Sequence, residues 1–144
     1  VFGLDPNRRP LEYIRNEFEE RGEVIVDYAT GLMWQQSGSK DWLSYEKAQQ
    51  YVAELNRRKF AGYDDWRLPT IPELMSLLEP EKQANGLYIN PIFDKKQQWC
   101  WSTDVRREKG EGSAQSAWDV SFGSGDVYWN LLDDYYVRCV RSGQ

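Results

Sequence analysis

The chain has 144 residues, 40% of them hydrophobic, and a formal net charge of −5. That length supports one domain with its own core, and the acidic balance argues against nucleic acid or an anionic membrane as the main partner, since both want a basic patch. Seven Trp, nine Tyr and five Phe carry much of the apolar content, while His is absent, which removes the usual general base and, with only two Cys, most transition-metal sites.

The sequence opens at Val1 without a Met or a signal peptide and reads as a piece of a longer protein, so targeting information is expected to lie outside it. No apolar run approaches membrane-spanning length, and no membrane insertion is expected. Residues 1–22 form a lead-in in which Pro10, Leu11, Ile14 and Phe18 suggest a short amphipathic helix. "EVIVDY" (23–28) then reads as a strand, and "ATGLMW" (29–34) as a turn at Thr30-Gly31 leading into another. Residues 44–58 give the clearest helix. Ser44 is its candidate N-cap, Ala48, Tyr51, Val52 and Leu55 line one face, and Arg57-Arg58-Lys59 suit the C-terminal dipole.

"GYDDWRLPT" (62–70) is a dense loop, expected to bury Trp66 and Leu68, to use Asp65 and Arg67 on loop backbone, and to end in a cap at Thr70. Thr70 and Glu73 are spaced as a capping box for a second helix, with Leu74, Leu77 and Leu78 on its apolar face before Pro80 stops it. A loop over 79–98 leads to short strands at 99–104, 116–122, 126–130 and 135–141, with the polar stretch "RREKGEGSAQ" between the first two. Two helices followed by short antiparallel strands and long loops make a single α+β domain without internal repeats.

Chemistry concentrates near the C-terminus, in "SFGSGDVYWNLLDDYYVRCVR" (121–141), which sets rings and carboxylates beside a strand. A contact surface over 119–135 would take polar contacts from Asp119, Ser121, Ser124, Asp126 and Asn130, with Leu131 beside them. Tyr128, Trp129 and Tyr135 would be its anchors, because aromatic side chains present area with few rotors to freeze. Asp133 and Asp134 would select basic groups on a protein partner. Trp34, Trp66, Trp99 or Trp101, and Trp118 read as core, and Trp42 as a staple-like contact at a helix entry. Arg138 and Arg141 fall on opposite strand faces, one of them free to meet a ligand, although framework ion pairs are the simpler reading. Cys100 and Cys139 either pair as a disulfide in an oxidising compartment or pack as two buried thiols.

"DYATGLMW" (27–34), "GYDDWRLPT" (62–70), "WST" (101–103), "AWDVSF" (117–122) and "YVRCVR" (136–141), taken in order, resemble the DUF1566 domains, the family of the C-terminal domain of the Legionella collagen-like protein. The resemblance covers roughly residues 24–141. It implies a C-type-lectin-like fold, two helices packed on a small twisted antiparallel sheet with long ligand-binding loops. Domains of this kind also serve as variable proteins of diversity-generating retroelements, in which a reverse transcriptase rewrites adenines in the C-terminal coding segment. Starting from Asn-type codons, Ser121, Ser124, Asp126, Tyr128, Leu131, Asp133, Asp134 and Tyr135 are all reachable by such changes, whereas Trp129 is not. The lead-in resembles segments found where such domains are fused to serine/threonine kinases or other signalling modules.

These resemblances imply a protein or other macromolecular ligand and no enzyme activity. The Glu-Pro-Asn and Gln-Pro-Asp signatures of calcium-dependent sugar binding are absent, so no metal or other cofactor is expected. The reactive cysteine pair of the related formylglycine-generating fold has no counterpart in the setting of Cys100 and Cys139. Alternatives are a carbohydrate-binding module and a structural or sensor module attached to a kinase. A kinase fusion would place the domain in the cytoplasm with reduced thiols, the compartment toward which the reading leans, and a surface protein would allow the disulfide.

Overall fold

Arg21 faces Val24 across a two-residue turn whose first residue, Gly22, takes φ +64, a conformation that favours glycine. This turn joins β1 (Phe18–Arg21) to β2 (Val24–Asp27), the first hairpin of the computed structural model, which describes residues 2–107, 114–130 and 134–143. The next turn is organised by Asp27, fully buried, whose carboxylate accepts from the backbone N–H of Glu17 and Ala29, the Thr30 hydroxyl and Asn16 Nδ2. It delivers the chain to β3 (Leu32–Gln35). Together with β7 (Val140–Ser142) these strands form a four-stranded antiparallel sheet in the order β1-β2-β3-β7.

Helix α1 (Tyr45–Arg57) starts where the Ser44 hydroxyl accepts from Lys47 N–H, and it buries Ala48 and Leu55. Helix α2 (Ile71–Met75) opens on a complete capping box: Thr70 accepts from the Glu73 N–H, and Glu73 accepts from the Thr70 N–H. The expected helix to Pro80 is shorter than predicted. Leu77 and Leu78 still reach the core, through tight turns in which each N–H bonds three residues back. The second sheet has the order β4-β5-β6, from β4 (Trp99–Arg107), β5 (Ala114–Ser121) and β6 (Asp126–Asn130). Among the described residues the domain is therefore α+β, with two α-helices and two antiparallel sheets.

Apolar residues gather on both faces of the first sheet. Ile25 and Trp34 join α2 and the second sheet in a cluster with Leu74, Val120 and Phe122, while Val26 and Met33 pack with Ala48, Leu55, Trp66 and Trp101. This two-sided burial explains why "VIVD" and "LMWQ" read as continuous apolar runs rather than alternating ones.

Two expectations are corrected. No helix forms in the lead-in: Leu11 and Ile14 are exposed, Phe18 begins β1, and Asn16 and Glu17 are held extended by their bonds to Asp27. Residues 135–141 are not one alternating strand. Only the end pairs as β7, while Tyr135, Val137, Arg138, Cys139 and Val140 are all buried, because this segment runs as a seam between the sheets. Tyr135 bridges to Leu43, Tyr136 runs parallel to Cys100 of β4, and Ser39 exchanges two hydrogen bonds with Val137.

Candidate binding face

The register of the second sheet decides which side chains share a surface. Trp99 faces Ser121, which faces Asp126; in the next row Trp101 faces Asp119, which faces Tyr128. Paired residues lie on the same side of a sheet, so Asp119, Ser121, Asp126 and Tyr128 share one face. Trp129 pairs with Trp118 on the opposite face, with ring centroids 5.2 Å apart.

Within that shared face the residues divide by access. Ser124 is exposed at the β5–β6 turn, and its hydroxyl bonds Asp126 at 2.5 Å and Ser121 at 3.0 Å. Gly125, at φ +80, makes this turn with its Cα tight against the Tyr88 ring, where an added Cβ would come within 2.9 Å. Ser121 and Tyr128 are half-buried, and the Arg8 guanidinium lies 4.3 Å from the Tyr128 ring centroid. The N-terminal segment reaches that position because Arg8 O accepts from Val127 N–H on the outer edge of β6.

Three expected contact residues are corrected. Asp119 is buried, set between Trp101 and Tyr128 in the sheet. Asp126 is buried and engaged by the Ser124 hydroxyl. Tyr135 stacks edge-on against Trp101, with centroids 4.4 Å apart, and is core rather than anchor. Trp129 is partly exposed, but on the other side of the sheet. Asn130 ends β6 opposite Ala117; its side chain, Leu131 and Asp133 lie outside the described residues. Asp134 is exposed.

Asp134 opens onto a feature the sequence reading missed. With Lys40, Asp41, Trp42, Lys96 and Tyr136 it lines a hollow of about 300 Å³. Trp42 is 57% exposed and leans on Trp99 at 6.0 Å and on Tyr136 at 6.4 Å; those two rings are 5.5 Å apart. Through the Trp99–Ser121 pairing this aromatic trio continues into the Ser121, Ser124 and Tyr128 surface. The available signal was "KDW" (40–42), a Trp preceded by two charged residues shortly before a helix cap.

The framework motifs are accounted for without a ligand. Arg67 holds Glu73 through two hydrogen bonds and reaches Ser142, and Arg141 pairs with Asp65 and lies over the Tyr63 ring. The side chains of Asp65 and Arg67 thus form ion pairs rather than serving loop backbone. Arg138 is buried and donates to the carbonyls of Gln35, Gln36 and Asp94 and to Gln97 Oε1, so it does not face a ligand. Cys100 and Cys139 are free buried thiols, not a disulfide. Burial pushes the Cys100 thiol up to about 12 and raises that of Cys139 as well, so neither is poised as a thiolate. Among the described residues no group of three acidic, Cys or His side chains is placed to hold a metal ion, and no helix is long and apolar enough to cross a membrane.

The model of the Lcl C-terminal domain family matches residues 23–141. A comparison with curated proteins finds no match.

Proposed function

The chain belongs to the Lcl C-terminal domain family, and from that premise we propose that it is a non-catalytic binding domain of C-type-lectin-like fold that takes a protein ligand. The observation that carries this reading is the continuous face formed by Trp42, Trp99 and Tyr136 with Ser121, Ser124 and Tyr128. Trp42 is the exposed anchor, Asp134 and Asp41 give the adjoining hollow its acidic side, and Lys40 and Lys96 its basic side. The absence of His and the high pKa of the buried Cys100 thiol support a role without catalysis.

We further propose that the domain is the variable protein of a diversity-generating retroelement. Ser121, Ser124 and Tyr128, each reachable by adenine changes, lie on the open face, while Trp129, which is not reachable, faces away from it. Trp42 and Trp99 precede the varied segment and act as fixed anchors beside a changeable polar surface. Fusion to a signalling kinase in the cytoplasm belongs to the same reading.

Two experiments test it. The DNA downstream of the gene should encode a reverse transcriptase and hold a near-copy of the codons for residues 117–141 differing only at adenines; a locus with neither overturns the retroelement reading. Partner capture by the immobilised domain should fall at least about tenfold for Trp42→Ala and for Ser121→Arg, as for a central anchor and its neighbour. Undiminished capture by both variants would move the site elsewhere. The second reading, a carbohydrate-binding module, is favoured only by the exposed Trp42 ring, a stacking platform for a neutral sugar, and a glycan array separates the two.

A further inference from the structure

Beside the binding face, on the other side of Lys40, lies a second hollow of about 310 Å³ between the β1–β2 turn, the chain after β3 and α1. Lys40 lines both hollows. Two side chains in the wall of the second are locked from behind. Gln35 is buried; its Oε1 accepts from Cys139 N–H at 2.8 Å and its Nε2 donates to the Tyr51 hydroxyl oxygen at 3.0 Å. With its oxygen already accepting, the Tyr51 hydroxyl is left to donate. Burial raises the Tyr51 pKa, which keeps that proton in place.

The charges lining the hollow are Lys40, Arg58 and Glu23. None of the three makes an ion pair among the described residues, and the Arg58 guanidinium rests 5.4 Å from the Phe60 ring centroid. Two cations against one carboxylate leave a single positive charge in a chain whose net charge is −5. A monoanion matches that balance, and a phosphate dianion does not. A carboxylate in the hollow would have one neutral O–H donor and two cationic donors available to it, and charge-assisted hydrogen bonds are the strong ones.

We propose that this cleft binds a carboxylate, supplied by an acidic side chain of the protein whose neighbouring residues lie on Trp42. Tyr51 and Arg58 are its binding residues, Lys40 bridges the cleft to the aromatic hollow, and Glu23 at the rim weakens binding and excludes dianions. The protein source of the carboxylate rests on the proposed function; the carboxylate site itself does not.

The test is a titration of the ¹⁵N-labelled full chain with N-acetyl-glutamate α-amide, alongside its neutral isostere N-acetyl-glutamine α-amide and free glucuronate. The acid should shift the amides of Gln36, Gly38 and Tyr51 in a saturable way, and the glutamine compound should not. Tyr51→Phe, which keeps the ring, should weaken binding about fivefold, the effect of one hydrogen bond. Arg58→Gln should weaken it about tenfold or more, and Glu23→Gln should tighten it. Equal shifts from the neutral isostere, or unchanged affinity in both Tyr51→Phe and Arg58→Gln, overturn the site. Tighter binding of glucuronate overturns the protein source and leaves the carboxylate site standing. Failure of this titration leaves the Trp42→Ala capture result untouched, and the reverse also holds.

Discussion

The seam over residues 134–143 and the β5–β6 hairpin that precedes it are both rich in rings and charges, yet they use them in opposite ways. In the seam, Arg138 spends its two terminal nitrogens on Gln35, Gln36, Asp94 and Gln97, and Tyr135 is pressed against Trp101. In the hairpin, Ser121 and Ser124 bond each other, Tyr128 meets the Arg8 guanidinium of the N-terminal segment, and all three stay partly open to solvent. What separates them is the nearby backbone. The seam runs between two sheets past carbonyls that lack strand partners, and a buried guanidinium satisfies several of these at once. The hairpin's backbone is satisfied by its own ladder and, on the outer edge at Val127, by the Arg8 carbonyl, which leaves its side chains free for a ligand.

The sharpest way to break that comparison is Arg138→Met, which keeps bulk and removes the donors. The Gln35 and Asp94 carbonyls and the Gln97 amide oxygen then lose their buried donor, while the Gln36 carbonyl keeps the Asp94 N–H, and unfolding free energy should fall by on the order of 3–5 kcal/mol, read by urea denaturation. A loss below about 1 kcal/mol would mean the seam is as permissive as the hairpin. Next in size is Asp27→Ala, which strips four donors around the β2–β3 turn and should cost about 2–4 kcal/mol. An effect confined to the lead-in, with residues 16–17 exchanging amide protons freely and the rest unchanged, would show the turn to be self-sufficient.

These two residues also mark where the sequence could be read and where it could not. The capping box at Thr70 and Glu73, the Ser44 cap and the burial of Trp66 and Leu68 follow from local spacing, so they were legible. So was the shared side of Asp119 and Ser121, which needs only a period of two, whereas Trp129, expected as an anchor beside Tyr128, falls on the opposite side by that same period. The burial of Asp119 and Tyr135, the extended lead-in and the role of Arg138 depend on segments far away in sequence. Leu11, Ile14 and Phe18 have helical spacing, but an apolar stripe forms a helix in a protein only where a surface receives it, and Asp27 instead holds Asn16 and Glu17 extended. Trp42 was missed for the same reason: its neighbours Trp99 and Tyr136 arrive from the other sheet and the seam.

A smaller effect sharpens the framework side. Burial pushes the Glu73 carboxyl up, but the Arg67 guanidinium and the Thr70 N–H more than offset this and hold it below the usual range. A depressed folded-state pKa contributes stability that is present above the unfolded value, about 4.3, and is lost as pH falls through the folded one. Glu73→Gln, which keeps the capping acceptor and removes only the charge paired with Arg67, should therefore cost about 0.5–1 kcal/mol at neutral pH. It should also flatten the acid limb of a stability curve between about pH 5 and the folded pKa. A parallel acid limb in the variant would assign that limb to other carboxylates.

The smallest expected change is on the open side. Trp42 is 57% exposed and its ring leans on Trp99 and Tyr136 without being enclosed by them. Trp42→Ala should change stability by no more than about 0.5 kcal/mol, as surface substitutions do, while lowering partner capture. The contrast with Tyr135→Ala, expected to cost about 3 kcal/mol as a fully buried aromatic, is the informative quantity, because Trp42 precedes Leu43 in the chain and Tyr135 bridges to Leu43. If Trp42→Ala cost as much as Tyr135→Ala, the exposed trio would belong to the framework, and the face would shrink to Ser121, Ser124 and Tyr128. If only Tyr135→Ala destabilises, the seam alternates in use from residue to residue, with Asp134 and Tyr136 lining the hollow and Tyr135 between them held in the core.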